Sequence, residues 1–184
     1  MLNRRMLITG GIAAAIVPGA GRAYGKAFVV DPKYEPQTVA FEGFEVGTLV
    51  VNPAERFLYL VESPGMARRY GVGVGRAGLT LKGKAVVERK AKWPSWRPTK
   101  NMIRRNPRRY GRYAGGVRGG PKNPLGARAL YLYRDGRDTM YRIHGTNEPS
   151  SIGRAVSNGC IRMINDHVID LYERVPVGTT VVIV

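Results

Sequence analysis

From residue 47 to the C-terminus, short apolar runs alternate with turn residues. Residues 48–51 (TLVV) and 56–62 (RFLYLVE) are two such runs, joined at Asn52-Pro53-Ala54. Residues 69–75, 85–91, 129–134 and 140–144 repeat the pattern at period two, the last pair split by Asp135-Gly136. A final run covers 179–184. These runs are rich in Tyr, Val, Leu and Ile, which suit a half-buried pleated surface. Six or seven short strands separated by turns predict a mainly β, sandwich-like fold. One stretch keeps helical time instead. Val168, Leu171, Tyr172 and Val175 fall at i, i+3, i+4 and i+7, with Asn165 placed to cap the helix and Pro176 and Gly178 to end it. The stripe reads as core packing, in a helix set before the last strand.

Three segments lack the pattern. Residues 24–46 hold Pro32 and Pro36 and few alternations, and read as a loosely ordered arm before a domain spanning 47–184. Residues 92–126 hold Trp93, Trp96, five prolines and the cluster Arg104, Arg105, Arg108, Arg109 and Arg112. Connections that long inside a compact domain tend to be lids or binding loops, so a lid loop is expected here. Residues 1–23 run from Arg4-Arg5 through an uncharged stretch, Met6 to Val17, to small residues ending Gly21-Arg22-Ala23. This is the order of a secretory signal, and its apolar run is too short for the roughly 20 residues of a membrane span. The expected compartment is therefore outside the cytoplasm, in the periplasm or cell envelope. The arginine pair leaves twin-arginine and Sec export both open.

Composition fits this picture, with 43% hydrophobic and 23% charged residues. The formal net charge of +17 adds an attraction to polyanions without choosing among them. Loss of residues 1–23 takes away three arginines and no acid, so the remainder stays strongly basic. A single cysteine in an exported chain has no intramolecular partner, so Cys160 is inert, an intermolecular link, or a reactive thiol.

The chemistry concentrates between 143 and 163. A strand delivers His144 into Gly145-Thr146, and Ser157-Asn158-Gly159-Cys160 makes a tight polar turn leading into Ile161. A cysteine nucleophile needs a base within reach and a partner that orients the base. It also needs donors aimed at the developing oxyanion. His144 can be the base, and Gly159 lets backbone amides around 158–160 approach a carbonyl. Arg154 and Arg162 are expected to favour the thiolate. His167 is expected at a capping or surface position, and Ser157 is the weaker nucleophile candidate. Two histidines and one cysteine without ligand spacing argue against a metal site.

His144-Gly145-Thr146 followed by Ser157-Asn158-Gly159-Cys160-Ile161-Arg162-Met163 closely resembles the active-site signature of the L,D-transpeptidase catalytic domain. RFLYLVE, RYGVGVGRAG, the Trp93 to Ile103 stretch and Gly120 to Gly126 look like that domain too. The departure is Asn158, where many members carry histidine. The resemblance implies Cys160 as nucleophile and His144 as base, oriented by the Gly145 carbonyl, with Ser157, Asn158 and Gly159 shaping the oxyanion turn. It implies Arg162, Trp96, Met102 and Thr146 as substrate contacts and no cofactor. The implied substrate is a peptidoglycan stem tetrapeptide, cut at its diaminopimelate–D-alanine bond through a thioester. The acceptor is a second stem amine, a lipoprotein lysine, a free D-amino acid or water, so an L,D-carboxypeptidase or cross-link hydrolase uses the same pair. The reading of a different class is a non-catalytic basic protein adhering to the wall. Nucleic acid is not an expected partner, since no recognisable module interleaves aromatics with the basic residues.

Overall fold

The computed structural model describes residues 28–184, and the expected export segment lies outside the described residues. Among the described residues no helix is long and apolar enough to cross a membrane. The apolar runs become strands β1 (Gln37–Ala40), β2 (Leu49–Asn52), β3 (Phe57–Ser63), β4 (Met66–Gly71) and β5 (Val74–Gly75). These are followed by β6 (Gly83–Lys92), then helices α1 (Lys100–Arg105) and α2 (Pro107–Tyr110). The C-terminal half holds β7 (Arg128–Arg134), β8 (Arg137–His144), β9 (Ala155–Ser157), β10 (Ile161–Arg162), α3 (Asn165–Arg174) and β11 (Thr180–Ile183).

Nine strands form one sheet in the order β1-β4-β3-β2-β11-β6-β7-β8-β10, and β5 pairs in parallel with β9. Most neighbours are antiparallel, but β11 runs parallel to β2 and β10 parallel to β8. Gly73, just beyond β4, bridges Arg162 of β10, which brings the two ends of the strand order together around the core. Leu49, Val51, Leu58, Leu60, Leu130, Leu132, Ile143 and Ile161 point into that core, and Val168 and Leu171 of α3 close it with the C-cap residue Val175. Each fully buried aliphatic side chain contributes about 1.5–3 kcal/mol.

The opposite face of β2 and β3 is covered as well. Val50, Tyr59 and Val61 form a smaller cluster with Val39 and Phe41, and Phe41 stacks on Tyr59 at 4.2 Å. The arm is thus not loose: its β1 adds an edge strand on β4, and its aromatic residues shield the sheet. Alternation failed to predict this because the segment buries only a few rings.

Helix α3 keeps its predicted apolar stripe but not its predicted cap. The N-cap residue is Ile164, and Asn165 sits inside the helix. The Asn165 Oδ1 instead accepts from the Ala127 and Thr146 amides at 3.0 and 3.2 Å, tying two loops beside the cleft. At the other end Lys90 Nζ donates to the Tyr172 and Val175 carbonyls at 2.5 and 2.6 Å, placing a cation where the helix dipole is negative. His167 is buried, not on the surface, with Nε2 3.1 Å from a Glu35 carboxylate oxygen.

Candidate active site

The parallel pairing of β10 with β8 builds the site. Its register sets Ile161 beside Ile143 and Arg162 beside His144. Strand alternation then sends both isoleucines into the core and turns His144 and Arg162 toward the opposite face. Cys160 precedes β10 and belongs to that same face. Cys160, His144, Arg162, Ser157 and Asn158 all line one cleft of about 890 Å3.

His144 is 4% exposed, and its Nδ1 lies 2.5 Å from the Gly145 carbonyl oxygen. A carbonyl only accepts, so Nδ1 carries the proton and Nε2 is left unprotonated as the basic nitrogen. Burial pulls the His144 pKa down to about 4, aided by Arg162 and Arg142 and opposed by the Gly145 carbonyl. The imidazole is therefore neutral near pH 7.

The Ser157–Cys160 turn is braced internally. Ser157 Oγ donates to the Cys160 carbonyl at 2.6 Å and accepts from the Gly159 amide at 3.1 Å. The hydroxyl is thus a brace, and the Gly159 amide is already engaged. Neither the Asn158 nor the Cys160 amide has an acceptor among the described residues. Gly159 has φ +126°, a conformation that disfavours any side chain, and a Cβ there would run into the Leu79 carbonyl and the Tyr141 ring. Gly75 passes so close that its Cβ would meet Gly159 Cα at 2.8 Å. Asn158, the departure from the resembling signature, donates from Nδ2 to the Tyr110 hydroxyl of α2 at 3.0 Å.

A strained strand segment faces the sulfur. Met140 has φ +64°, and the β7–β8 ladder slips between Tyr131 and Tyr133. Such a backbone costs about 1–3 kcal/mol and persists only where its surroundings hold it. Asp138 holds it here, accepting from the Met140 amide at 2.7 Å and from both Arg142 terminal nitrogens at 2.7 and 2.8 Å. The Arg142 guanidinium lies on the Tyr131 ring, 4.4 Å from its centroid. The outcome is a Met140 carbonyl 3.9 Å from Cys160 Sγ and an Arg142 backbone N–H directed at the same sulfur.

Burial pushes the Cys160 thiol above its ordinary 9.0, and the Arg142 N–H with the Arg142 and Arg162 charges offsets only part of this. Arg162 thus favours the thiolate as expected but is outweighed by burial, and Arg154 is exposed and not among the groups that shift the thiol. The resting pair is a neutral thiol and a neutral imidazole. Arg162 is already engaged, its Nη1 2.7 Å from Glu148, which also sits 3.7 Å from Arg109. Glu148 had no signal in the sequence, and neither did the Asp138–Arg142 pair. Glu148 reaches Arg162 only through the folded turn after β8, and Asp138 meets Arg142 within β8 where the ladder slips.

The second wall of the cleft comes from residues 92–126, which form α1, α2 and a 3-10 turn (Gly111–Tyr113) instead of one long loop. Trp96 and Met102 line the cleft, as do Tyr110, Arg105, Arg109 and Arg112. Trp96 is anchored by reciprocal backbone bonds with Val117 at 2.9 and 2.7 Å. Thr146 is elsewhere: it is buried, and its hydroxyl accepts from the Glu148 amide at 2.9 Å, fixing that turn and not the cleft surface. Among the described residues no group of three His, Cys, Asp or Glu residues is placed to hold a metal ion.

Comparison with known proteins converges on this region. The family profile described as the L,D-transpeptidase catalytic domain matches residues 47–183. The Escherichia coli K12 protein named Probable L,D-transpeptidase ErfK/SrfK is 40% identical over 139 residues, covering 74% of this chain and 43% of that protein. This chain therefore spans less than half the length of that curated relative. Among solved structures, a Brucella melitensis chain described as a probable carnitine operon oxidoreductase is 55% identical, with a TM-score of 0.58. That match covers 82% of this chain and 93% of the Brucella chain. A cysteine-to-serine mutant of an Enterococcus faecium L,D-transpeptidase superposes with a TM-score of 0.55 at 16% identity, covering 76% of this chain and 50% of that one. At such identity the likeness shows the fold alone.

Proposed function

The chain belongs to the L,D-transpeptidase catalytic domain family, and from that premise we propose that it is an exported cysteine acyltransferase of peptidoglycan stem peptides. The observation that carries the reading is the cleft shared by Cys160 and His144, with His144 Nδ1 committed to Gly145 and Nε2 left as the base. In the proposed reaction Cys160 attacks the carbonyl of the diaminopimelate–D-alanine amide while His144 takes the thiol proton. The Cys160 and Asn158 amides, both without an acceptor among the described residues, are the candidate donors to the resulting oxyanion, since the Gly159 amide is occupied. Collapse breaks the C–N bond, His144 returns its proton to the departing D-alanine amine, and an acyl thioester remains on Cys160. An acceptor amine, from a second stem or a lipoprotein lysine, then repeats the sequence in reverse and releases the thiol.

The neutral resting pair suits this course. Proton transfer accompanies attack, so no buried charge has to exist before substrate arrives. Arg162 meets a substrate carboxylate only by exchanging it for Glu148, while Trp96 and Met102 cover the apolar part of the stem as a lid. The oxidoreductase description of the Brucella relative meets one literal signature here, Gly73-Val74-Gly75-Arg76-Ala77-Gly78. That spacing binds a dinucleotide only where it leads from a strand into a helix N-terminus. Here the next element is β6, so no helix receives a pyrophosphate.

The test is incubation with a disaccharide-tetrapeptide followed by mass spectrometry, beside Cys160→Ala. Loss of D-alanine with a dimeric product supports transfer, and monomeric tripeptide alone identifies a hydrolase. No turnover, with a Cys160 that a carbapenem does not acylate, sinks the enzyme reading and leaves a non-catalytic wall-binding protein.

A further inference from the structure

Residues 92–126 contain ten lysines and arginines and no acidic residue, so this segment carries most of the chain's +17. The charges are crowded: Arg104, Arg105, Arg108, Arg109 and Arg112 lie within nine positions, and all five are exposed. Among the described residues, only Lys92 and Arg109 of the ten have an ion-pair partner, at 4.0 Å from Glu173 and 3.7 Å from Glu148. Like charges at this density repel one another, and nothing within the segment relieves them. Their framework is nonetheless ordered. Trp96 is bonded to Val117 and packs against Tyr110 and Tyr113, with ring centroids 6.4 and 5.9 Å away. Buried Asn123 donates to the Val117 and Arg118 carbonyls, both at 3.0 Å. The cations are thus held on a fixed scaffold, where less freedom is lost on meeting a partner.

The exposed cations divide between the cleft and the surface outside it. Arg105, Arg109 and Arg112 line the cleft that holds Cys160, whereas Arg104, Arg108 and Arg118 lie outside its lining. We propose that Arg104, Arg108 and Arg118, all exposed and without an ion-pair partner among the described residues, dock the wall polymer itself, a strand bearing regularly spaced carboxylates, so that the chain engages its substrate as part of an insoluble sacculus. The inference rests on the acyl-transfer reading for the polymer's identity. Charge complementarity points to an anionic strand, and the cleft beside it is where one stem of that strand reacts. Nucleic acid is disfavoured because Trp96, Tyr110 and Tyr113 pack on one another, which leaves the exposed Trp93 without a second open ring beside it to form a stacking platform.

The experiment uses the full chain carrying Cys160→Ala, with and without Arg104→Gln, Arg108→Gln and Arg118→Gln together, and purified sacculi. The triple variant binds sacculi about tenfold more weakly at 0.1 M salt, and the difference closes toward 1 M as screening shortens. Amidation of the sacculus carboxylates releases the parent protein. With Cys160 intact, the three substitutions slow turnover on sacculi but not on the soluble disaccharide-tetrapeptide, which also shows that the variant is folded. Equal retention of both proteins, retention on amidated sacculi, or an equal loss on the soluble fragment overturns the proposal. Failure of the acyl-transfer reading shows separately, as no turnover of the soluble fragment by the parent chain.

Discussion

The wall that carries Cys160 and His144 and the wall that carries the arginines of α1 and α2 face one cleft, but different physics holds them. The first is a continuation of the sheet: Ile143 and Ile161 are buried in the core, and every turn around the thiol is braced by named hydrogen bonds. The second has no buried residue in either of its helices and is fixed by Trp96, Asn123 and a few contacts across the cleft. Chemistry needs the first kind of wall, since a misplacement of an ångström is costly to a reacting pair. Recognition of the proposed wall strand tolerates the second. The contrast is testable at both walls.

The largest effect expected is on thiol reactivity. Cys160 lies above the ordinary 9.0 because burial penalises its anion, and His144 is neutral above about 4. The thiolate fraction of the empty enzyme should therefore rise about tenfold per pH unit between pH 6 and 9. Alkylation by iodoacetamide, which reports thiolate, should climb by about three decades over that range. A flat rate between pH 6 and 8 would reveal a preformed thiolate–imidazolium pair and break the description of this wall as apolar and neutral.

Stability separates the walls next. Leu171 is fully buried in the main core, so Leu171→Ala should cost about 2–5 kcal/mol of unfolding free energy in urea. Met102 is partly exposed on α1, and Met102→Ala should stay within about 0.5 kcal/mol while raising KM. Comparable losses at the two positions would show that the basic segment is part of the cooperative core.

The same division governs what the sequence disclosed. The strands, the α3 stripe and the Ser157–Cys160 turn were legible because alternation, helical spacing and a contiguous motif are local properties. The arm packs through one edge strand and the stacked rings of Phe41 and Phe44, and two rings set no period. Asn165 looked like a cap because the residue type fits one, yet its side chain serves two loops distant in sequence. Glu148 was illegible for the same reason, whereas Asp138 and Arg142 are only four residues apart and meet because the β7–β8 ladder slips beside them. Arg162 reads as a substrate contact, since nothing local announces that residue 148 will reach it.

A smaller effect is expected at the strained segment beside the sulfur. Asp138→Asn keeps the shape but loses the charge that holds Arg142, so the Met140 backbone can relax toward negative φ. We expect about a tenfold fall in kcat with little change in KM, from loss of a charge-assisted pair worth about 1.5–3 kcal/mol. Asp138 is a positioning residue, so the pH profile of alkylation should shift with it, as the Arg142 N–H moves off the thiol. An unchanged profile with only a lowered melting temperature would reduce the pair to a structural role.

The smallest effect lies where the two walls touch. Asn158 donates to Tyr110 at 3.0 Å across the cleft, on an exposed residue, so the bond sits at the low end of the usual 0.5–1.5 kcal/mol. Tyr110→Phe should raise KM about two- to threefold and leave kcat alone, because the bond positions α2 and touches no reacting atom. Asn158→Ala should do the same, and the double variant should be no worse than either single one. Asn158→His then asks what the departure from the family signature is for. If histidine restores the parent KM, the position needs only a donor toward Tyr110. If it restores nothing in the Tyr110 background but alters kcat, the side chain acts on the Cys160 turn instead, and the contact between the walls is incidental.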